Sequence, residues 1–379
     1  MRKIKLSFII LLFAIMLIPG VILIVKKDRT FSELENRNLA VRPKFNIAEI
    51  LSGKTESDLT EFVTDQFPLR DFLMRTSTEY KKALLMKDVG GVYFGKNGFI
   101  LDKLYDGKVD FEGYKKNLSK LAEFMEDYSE LNPTFILVPS PSSILSDYLP
   151  KFAENYDDYK FYNEAEKVIG DNFLNIRRVY SDEYDEETRE GRVDSIYFKT
   201  DHHYTTYGAY IAYREYCTYK GVTPKSLEDF KLSTLPEKFY GTMYSKAADF
   251  RTKPDTIAIP SIDEDNIEVS GGTDKVYDYE ALTRKDKYTI YFGGNYGVVE
   301  IKTAVNNGKR LLVIKDSYAN SLIPYLTAEY EYIVMVDPRF YTGSIGQVIE
   351  NGRVNEILVF YEMSNFINDS EMRRMLIFK

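Results

Sequence analysis

Apolar residues fall along this chain in two patterns. The first is one long run: Leu6 to Val25 carries no charge and is mostly apolar. At about 1.5 Å per residue, such a run spans about 30 Å as a helix, enough to cross a bilayer. No small-residue cleavage site of the Ala-x-Ala kind follows it, so an uncleaved signal anchor is expected. Arg2, Lys3 and Lys5 before the run are matched by Lys26, Lys27 and Arg29 after it. Charge therefore leaves the orientation open, and the short N-terminal tail favours placing the remainder outside the membrane.

The second pattern is a shorter alternation. Leu118, Leu121, Ala122 and Met125 recur at helical spacing within 113–128. Thr134 to Val138 reads as a buried strand ending at Pro139-Ser140-Pro141-Ser142-Ser143. Such a loop is where an α/β protein carries site residues, although a polar turn also accounts for the serines. Phe173 to Tyr180 continues the alternation, and a helix follows over Tyr207 to Tyr219. Leu311 to Ile314, Tyr332 to Val336 and Glu356 to Tyr361 read as strands. Between them lie helices over Ser321 to Tyr330, with Pro324 near the first turn, and Ile345 to Asn351. Three successive βα units predict a parallel sheet with helices on its faces.

Other stretches depart from this rhythm. Residues 222–300, with Pro254, Pro260 and Gly271-Gly272, are expected as an inserted or peripheral subregion covering the site. Residues 30–112 read as a membrane-proximal segment. It has amphipathic helix from Glu49 to Phe72 and turns at Gly90-Gly91 and Gly95 to Gly98 around a short hairpin. The expected organisation is thus an anchor at 1–29, the segment 30–112 and an α/β domain at 113–379.

Composition narrows the function. With 44% hydrophobic and 28% charged residues, the chain can bury a full core in one large domain or two associated ones. The net charge is −8, and residues 1–29 are net basic, so the remainder is more acidic still. A nucleic-acid groove is not expected. The 31 Tyr and 24 Phe offer stacking surfaces for sugar rings or ordinary core packing. Cys217, in a Tyr-rich helical stretch, reads as a small buried hydrophobe. P-loop, dinucleotide and repeat patterns are absent from the sequence, so no cofactor is expected.

The only two histidines stand together in Thr200-Asp201-His202-His203-Tyr204-Thr205. A zinc site normally recruits three or four ligands, and a chain with one Cys and no further His supplies them poorly. In an extended segment Asp201 and His203 would share one side and His202 the other. That spacing suits a carboxylate orienting one imidazole whose other nitrogen acts as a base. Local packing of both rings is the plainer reading of the pair alone. Lys315-Asp316-Ser317 follows the Leu311 strand, which would put an exposed Ser317 hydroxyl at a strand-to-helix turn, near the helix N-terminus. Arg339 either holds a polar substrate group or pairs with Asp337. Asn295, in Gly293-Gly294-Asn295, is either an oxyanion donor or part of a glycine-rich turn.

Several motifs occur in a common order: Glu35-Asn36-Arg37, Asp65-Gln66-Phe67-Pro68-Leu69-Arg70, Val92-Tyr93-Phe94-Gly95-Lys96-Asn97-Gly98, Asp201-His202-His203-Tyr204, Gly293-Gly294-Asn295 and Lys315-Asp316-Ser317-Tyr318-Ala319-Asn320. In these the chain resembles the DHHW proteins, relatives of periplasmic alginate O-acetyltransferases with an SGNH-hydrolase-like domain. The resemblance implies an SGNH-like parallel sheet and a catalytic set of Asp201, His203 and Ser317. It also implies acetyl transfer to an extracellular polysaccharide and an integral-membrane acyltransferase partner that delivers the acyl group. Two positions depart from the pattern. Tyr204 stands where the family name has Trp, which bears on substrate contacts there, and Lys315 stands where many SGNH enzymes have Gly. An esterase with the same triad, or a non-catalytic cell-envelope module, is the competing expectation.

Overall fold

The computed structural model describes residues 2–44, 46–190 and 196–377, with the side chains of 2–10, 16 and 186–190 outside that description. The chain divides into one unit of Met1–Val89 with Ser245–Arg251 and another of Gly90–Tyr244 with Thr252–Lys379.

The first unit is helical. A helix runs over Arg2–Val25. Among the described residues no helix is long and apolar enough to cross a membrane. The expected anchor, Leu6 to Val25, falls partly on positions whose side chains lie outside the description. The amphipathic stretch expected from Glu49 to Phe72 is broken into helices Ile47–Leu51, Lys54–Gln66 and Arg70–Ala83. Gly53 takes a left-handed φ of 75° at the first break. At the second, Pro68 forces Phe67 into an extended conformation, which ends the helix. Two of the recurring motifs lock this unit together. Arg37 grips Asp65 with its two terminal guanidinium nitrogens, at 2.9 and 2.5 Å, and Arg70 pairs with Glu35. Gln66 both accepts from and donates to the Arg29 backbone, at 2.9 and 2.8 Å.

The second unit is a three-layer α/β structure. Its sheet comprises β1 (Thr134–Val138), β2 (Phe173–Asn175), β3 (Glu268–Ser270), β4 (Val298–Lys302), β5 (Arg310–Lys315), β6 (Tyr332–Val336) and β7 (Glu356–Glu362), in the order β3-β4-β6-β5-β7-β1-β2. From β6 to β2 all neighbours are parallel, while β4 pairs antiparallel with β6 and β3 with β4. Both faces are covered. Leu311 and Val313 of β5 face one apolar cluster with helices Thr206–Tyr219 and Ala319–Leu326. Leu312 and Ile314 face the other, with helices Phe111–Asp127 and Tyr159–Ile169. This two-sided burial is why these strands read as continuous apolar runs.

Most tyrosines serve the core. Tyr114, Tyr180, Tyr197 and Tyr277 are fully buried, and each hydroxyl donates to a backbone carbonyl, at 2.7, 2.6, 2.8 and 2.7 Å. Cys217 is buried and unpaired. The expected hairpin is present as Val92–Phe94 against Ile100–Asp102. Residues 222–300 contribute to the main core through Ile257, Tyr277, Ile290 and Phe292. This region also contributes β3 and the first residues of β4, its Glu300 pairing with Val334 of β6. Parallel register brings the C-terminal ends of β1, β5, β6 and β7 to one edge, and with them Ser140, Ser317, Asp337 and Glu362. Ligands of open α/β sheets bind at such edges.

Candidate active site

Asp201, His202 and His203 occupy a tight loop closed by the bridge between Tyr197 and Tyr204. Thr205 N–H donates to the Ile196 carbonyl at 2.8 Å. Within the loop, Asp201 Oδ1 accepts the His203 backbone N–H at 3.0 Å, a turn that aspartate favours because its side chain reaches the amide two residues on. The segment is therefore not extended, and the alternation of faces expected for it does not hold. The His202 and His203 rings lie 3.9 Å apart at 38°. Asp255 pins the loop from outside, accepting from Lys199 N–H at 3.0 Å and from Thr200 N–H at 2.8 Å.

Asp201 Oδ1 lies 2.5 Å from His203 Nδ1, and His203 Nε2 lies 2.9 Å from Ser317 Oγ. Asp201 also accepts from Thr242 N–H at 2.7 Å. A carboxylate surrounded by N–H donors acts as an acceptor, so the imidazole proton belongs on Nδ1 and the Nε2 lone pair faces the serine hydroxyl. Burial works against the Asp201 charge, but the two imidazoles beside it hold its carboxyl far below the usual range. Burial and the neighbouring His202 push His203 down to about 4, with Asp201 opposing. His203 is thus a neutral base throughout the physiological range.

Ser317 is 8% exposed, less open than expected for a nucleophile on a turn, because its hydroxyl is turned in to the histidine. It precedes the helix Ala319–Leu326. The Tyr318 N–H at this helix start donates to Asp316 Oδ1 at 2.9 Å. Asp316 Oδ2 accepts from Glu362 N–H at 2.9 Å and Asn365 Nδ2 at 2.7 Å, which ties the serine loop to the end of β7. Burial pushes the Asp316 carboxyl up to about 6.

Tyrosines latch the histidine and serine loops together. Tyr204 is fully buried and its hydroxyl donates to the Tyr318 carbonyl at 2.7 Å, while the Tyr318 hydroxyl donates to the His202 carbonyl. The substrate-contact expectation for Tyr204 is corrected accordingly: its hydroxyl is spent inside the protein.

The remaining expected residues separate. Arg339 takes the second of its two readings, chelating Asp337 at 2.8 and 2.6 Å. Asn295 Oδ1 accepts from Lys315 Nζ at 3.1 Å and from Asn320 Nδ2 at 3.0 Å. His202 is 29% exposed in its side chain, and its Nδ1 is buried without a hydrogen-bond partner, 3.6 Å from Asp201. Asp201, His202 and His203 do converge as a potential ligand group. However, both His203 nitrogens and both Asp201 oxygens are already engaged, which is a poor arrangement for a metal.

Two contributors escaped the sequence reading. Tyr288 stacks flat on the His203 ring at 3.7 Å and 12°, fixing the ring plane, and its hydroxyl lies 2.9 Å from Ser321 Oγ. Gly241 leaves room for the carboxylate: a Cβ there would stand 2.2 Å from Asp201 Oδ2. Neither carries a local signal, since both act across forty residues of chain or more.

Residues 165–336 match the family described as DHHW protein, which upholds the resemblance read from the motifs. The crystal structure of a DHHW family protein from Eubacterium siraeum is 26% identical, with a TM-score of 0.60, over 76% of this chain and 95% of that one. Bacillus cereus PatB1 with a sulfonyl adduct shares the fold at 20% identity and a TM-score of 0.61, over 76% of this chain and 98% of its own. The O-acetyltransferase domain of Pseudomonas putida AlgJ is more distant, at 11% identity and a TM-score of 0.47, over 76% and 98%. Among curated proteins nothing matches.

Proposed function

We propose that this protein is a membrane-anchored, extracytoplasmic serine acyltransferase that moves an acetyl group onto a hydroxyl of a cell-surface or secreted polysaccharide. The observation that carries the reading is the continuous line from Asp201 through His203 to Ser317 Oγ, at 2.5 and 2.9 Å. Its chemistry is that of an activated serine. Ser317 Oγ attacks the acetyl carbonyl of an ester or thioester donor, and its proton passes to His203 Nε2. The tetrahedral oxyanion collapses, the donor's alcohol or thiol leaves, and His203 returns the proton to it. A sugar hydroxyl then gives its proton to His203 and attacks the acetyl-serine, and Ser317 Oγ leaves and recovers the proton.

Acetyl transfer, the polysaccharide acceptor and a membrane acyl-donor protein come from the DHHW resemblance. The anchor is carried by the uncharged run Leu6 to Val25 of the sequence alone; among the described residues no helix is long and apolar enough to cross a membrane. Incubating the protein with an acetyl ester, with and without oligosaccharide, tests the transfer step. Acetylated oligosaccharide is expected, and acetate release indifferent to added glycan would mark an esterase instead.

A further inference from the structure

Lys315 ends β5, two residues before Ser317, and is only 2% exposed. Its ammonium reaches three oxygens: Asn320 Oδ1 at 2.8 Å, Asn295 Oδ1 at 3.1 Å and Asp337 Oδ2 at 3.5 Å. An ammonium donates and never accepts. Both amide oxygens must therefore face it, which settles an orientation that an asparagine beside a neutral group leaves open. Asn320 spends its NH₂ on Asn295 Oδ1 at 3.0 Å. The Asn295 oxygen is thus held twice, and its NH₂ is turned out of the cluster. The same cluster is tied to the nucleophile loop, because Asn320 N–H donates to the Ser317 carbonyl at 3.2 Å.

We infer that Lys315 is a positioning residue that fixes the Asn295 amide with its NH₂ toward the oxyanion formed at Ser317, an inference that rests on the acyl-serine reading above. The charged groups around Lys315 are Asp337 and Arg339 beyond the end of β6, and Asp316 next to it in sequence. Burial pushes the ammonium down to about 8, Asp337 opposing and Arg339 adding to the shift. Once neutral, the amine gains a lone pair and can accept from an amide NH₂, so the enforced orientation is lost.

Acylation of the full-length protein by p-nitrophenyl acetate reads the step directly: the Ser317 Oγ–acetyl bond forms, the ester bond breaks, and p-nitrophenol leaves with the proton from His203. Lys315→Met is expected to slow acylation by about tenfold or more, with KM changed by less than about threefold, as for the loss of an oxyanion donor. Asn295→Ala should do the same, and the double variant should be no slower than Asn295→Ala alone. Wild-type acylation should fall as pH rises through about 8, whereas Lys315→Arg, always charged, should recover part of the rate and lack that fall. A Lys315→Met rate within about twofold of wild type, losses that multiply in the double variant, or a flat wild-type alkaline profile would each overturn the inference. Should Lys315→Met fail to fold in a thermal melt, the wild-type profile still decides. Labelling of wild-type Ser317 by a sulfonyl fluoride separates the two levels: labelled serine with an indifferent Lys315→Met removes the role of Lys315 alone, and unlabelled serine removes the acyl-serine reading itself.

Discussion

The helical unit and the sheet unit both hold clusters of acids and cations, and the two treat charge in opposite ways. In the helical unit, Asp65 meets Arg37 through two hydrogen bonds, and that guanidinium pulls its carboxyl down to about 2. At the sheet edge, Asp316 is held by backbone and asparagine N–H groups, and burial pushes it up to about 6. His203 and Lys315 are likewise driven toward their neutral forms. Asp65 is held charged by a guanidinium that fixes local structure, whereas at the sheet edge groups that burial drives toward their neutral forms lie beside Asp201, a carboxylate held charged against an imidazole, the mixture expected of a working site. Glu35-Asn36-Arg37 and Asp65 to Arg70 therefore belong to the architecture of their unit, and on the proposed reading Asp201, His203 and Ser317 carry the chemistry.

The sharpest test of this contrast lies inside the site. His203→Ala should lower turnover by at least about 10³-fold, since it removes the base that touches Ser317. His202→Ala should cost about tenfold or less, because its ring acts only through its packing on His203 and its field on Asp201 and His203, and leaves the line to Ser317 in place. Steady-state rates of the two variants check this, and a larger loss at His202 would reverse their roles. Gly241→Ala comes next. Its Cβ would displace the Asp201 carboxylate, and a loss of about 10- to 10²-fold in kcat is expected with the fold intact. An unchanged kcat would mean the carboxylate tolerates the shift.

The helical unit should respond in stability and leave chemistry alone. Asp65→Asn is expected to destabilise it by about 1–3 kcal/mol in denaturant unfolding, while acylation of Ser317 stays unchanged. A loss of acylation would break the division of labour. Acid should separate the regions by pH. The Asp65 pair contributes its stability above the ordinary carboxylate range and loses it as pH falls through about 2. The folded Asp316 carboxyl titrates higher than in the unfolded chain, so its contribution is greatest in acid and is lost as pH rises through about 6. Activity should have an acid limb near 4, where His203 takes up a proton. A limb near the ordinary imidazole value would contradict the burial argument.

How much of this was legible in the sequence depends on how local each signal is. β1 and β6 were read at their full lengths because a strand buried on both faces is an unbroken apolar run. β4 was missed: Val298-Val299-Glu300-Ile301-Lys302 alternates between core and solvent, and only its pairing with β6 makes it part of the sheet. The line from Asp201 through His203 to Ser317 was legible because histidine is so scarce. Its surroundings were not: the aspartate turn brings the two imidazoles within 3.9 Å of each other, and Tyr288, Thr242 and Asp255 reach the site only once the fold has closed. Arg339 was left between two readings, and the carboxylate two residues away claimed it.

The central claim is that Ser317 becomes acylated because His203, oriented by Asp201, takes its proton. Mass spectrometry of the intact protein after brief exposure to an acetyl ester, followed by peptide mapping, tests it most directly. The account predicts a single acetyl group on Ser317 that is absent in Ser317→Ala and His203→Ala and that disappears when a carbohydrate acceptor is added. An unmodified Ser317, or an acetyl group that forms equally well without His203, would contradict it.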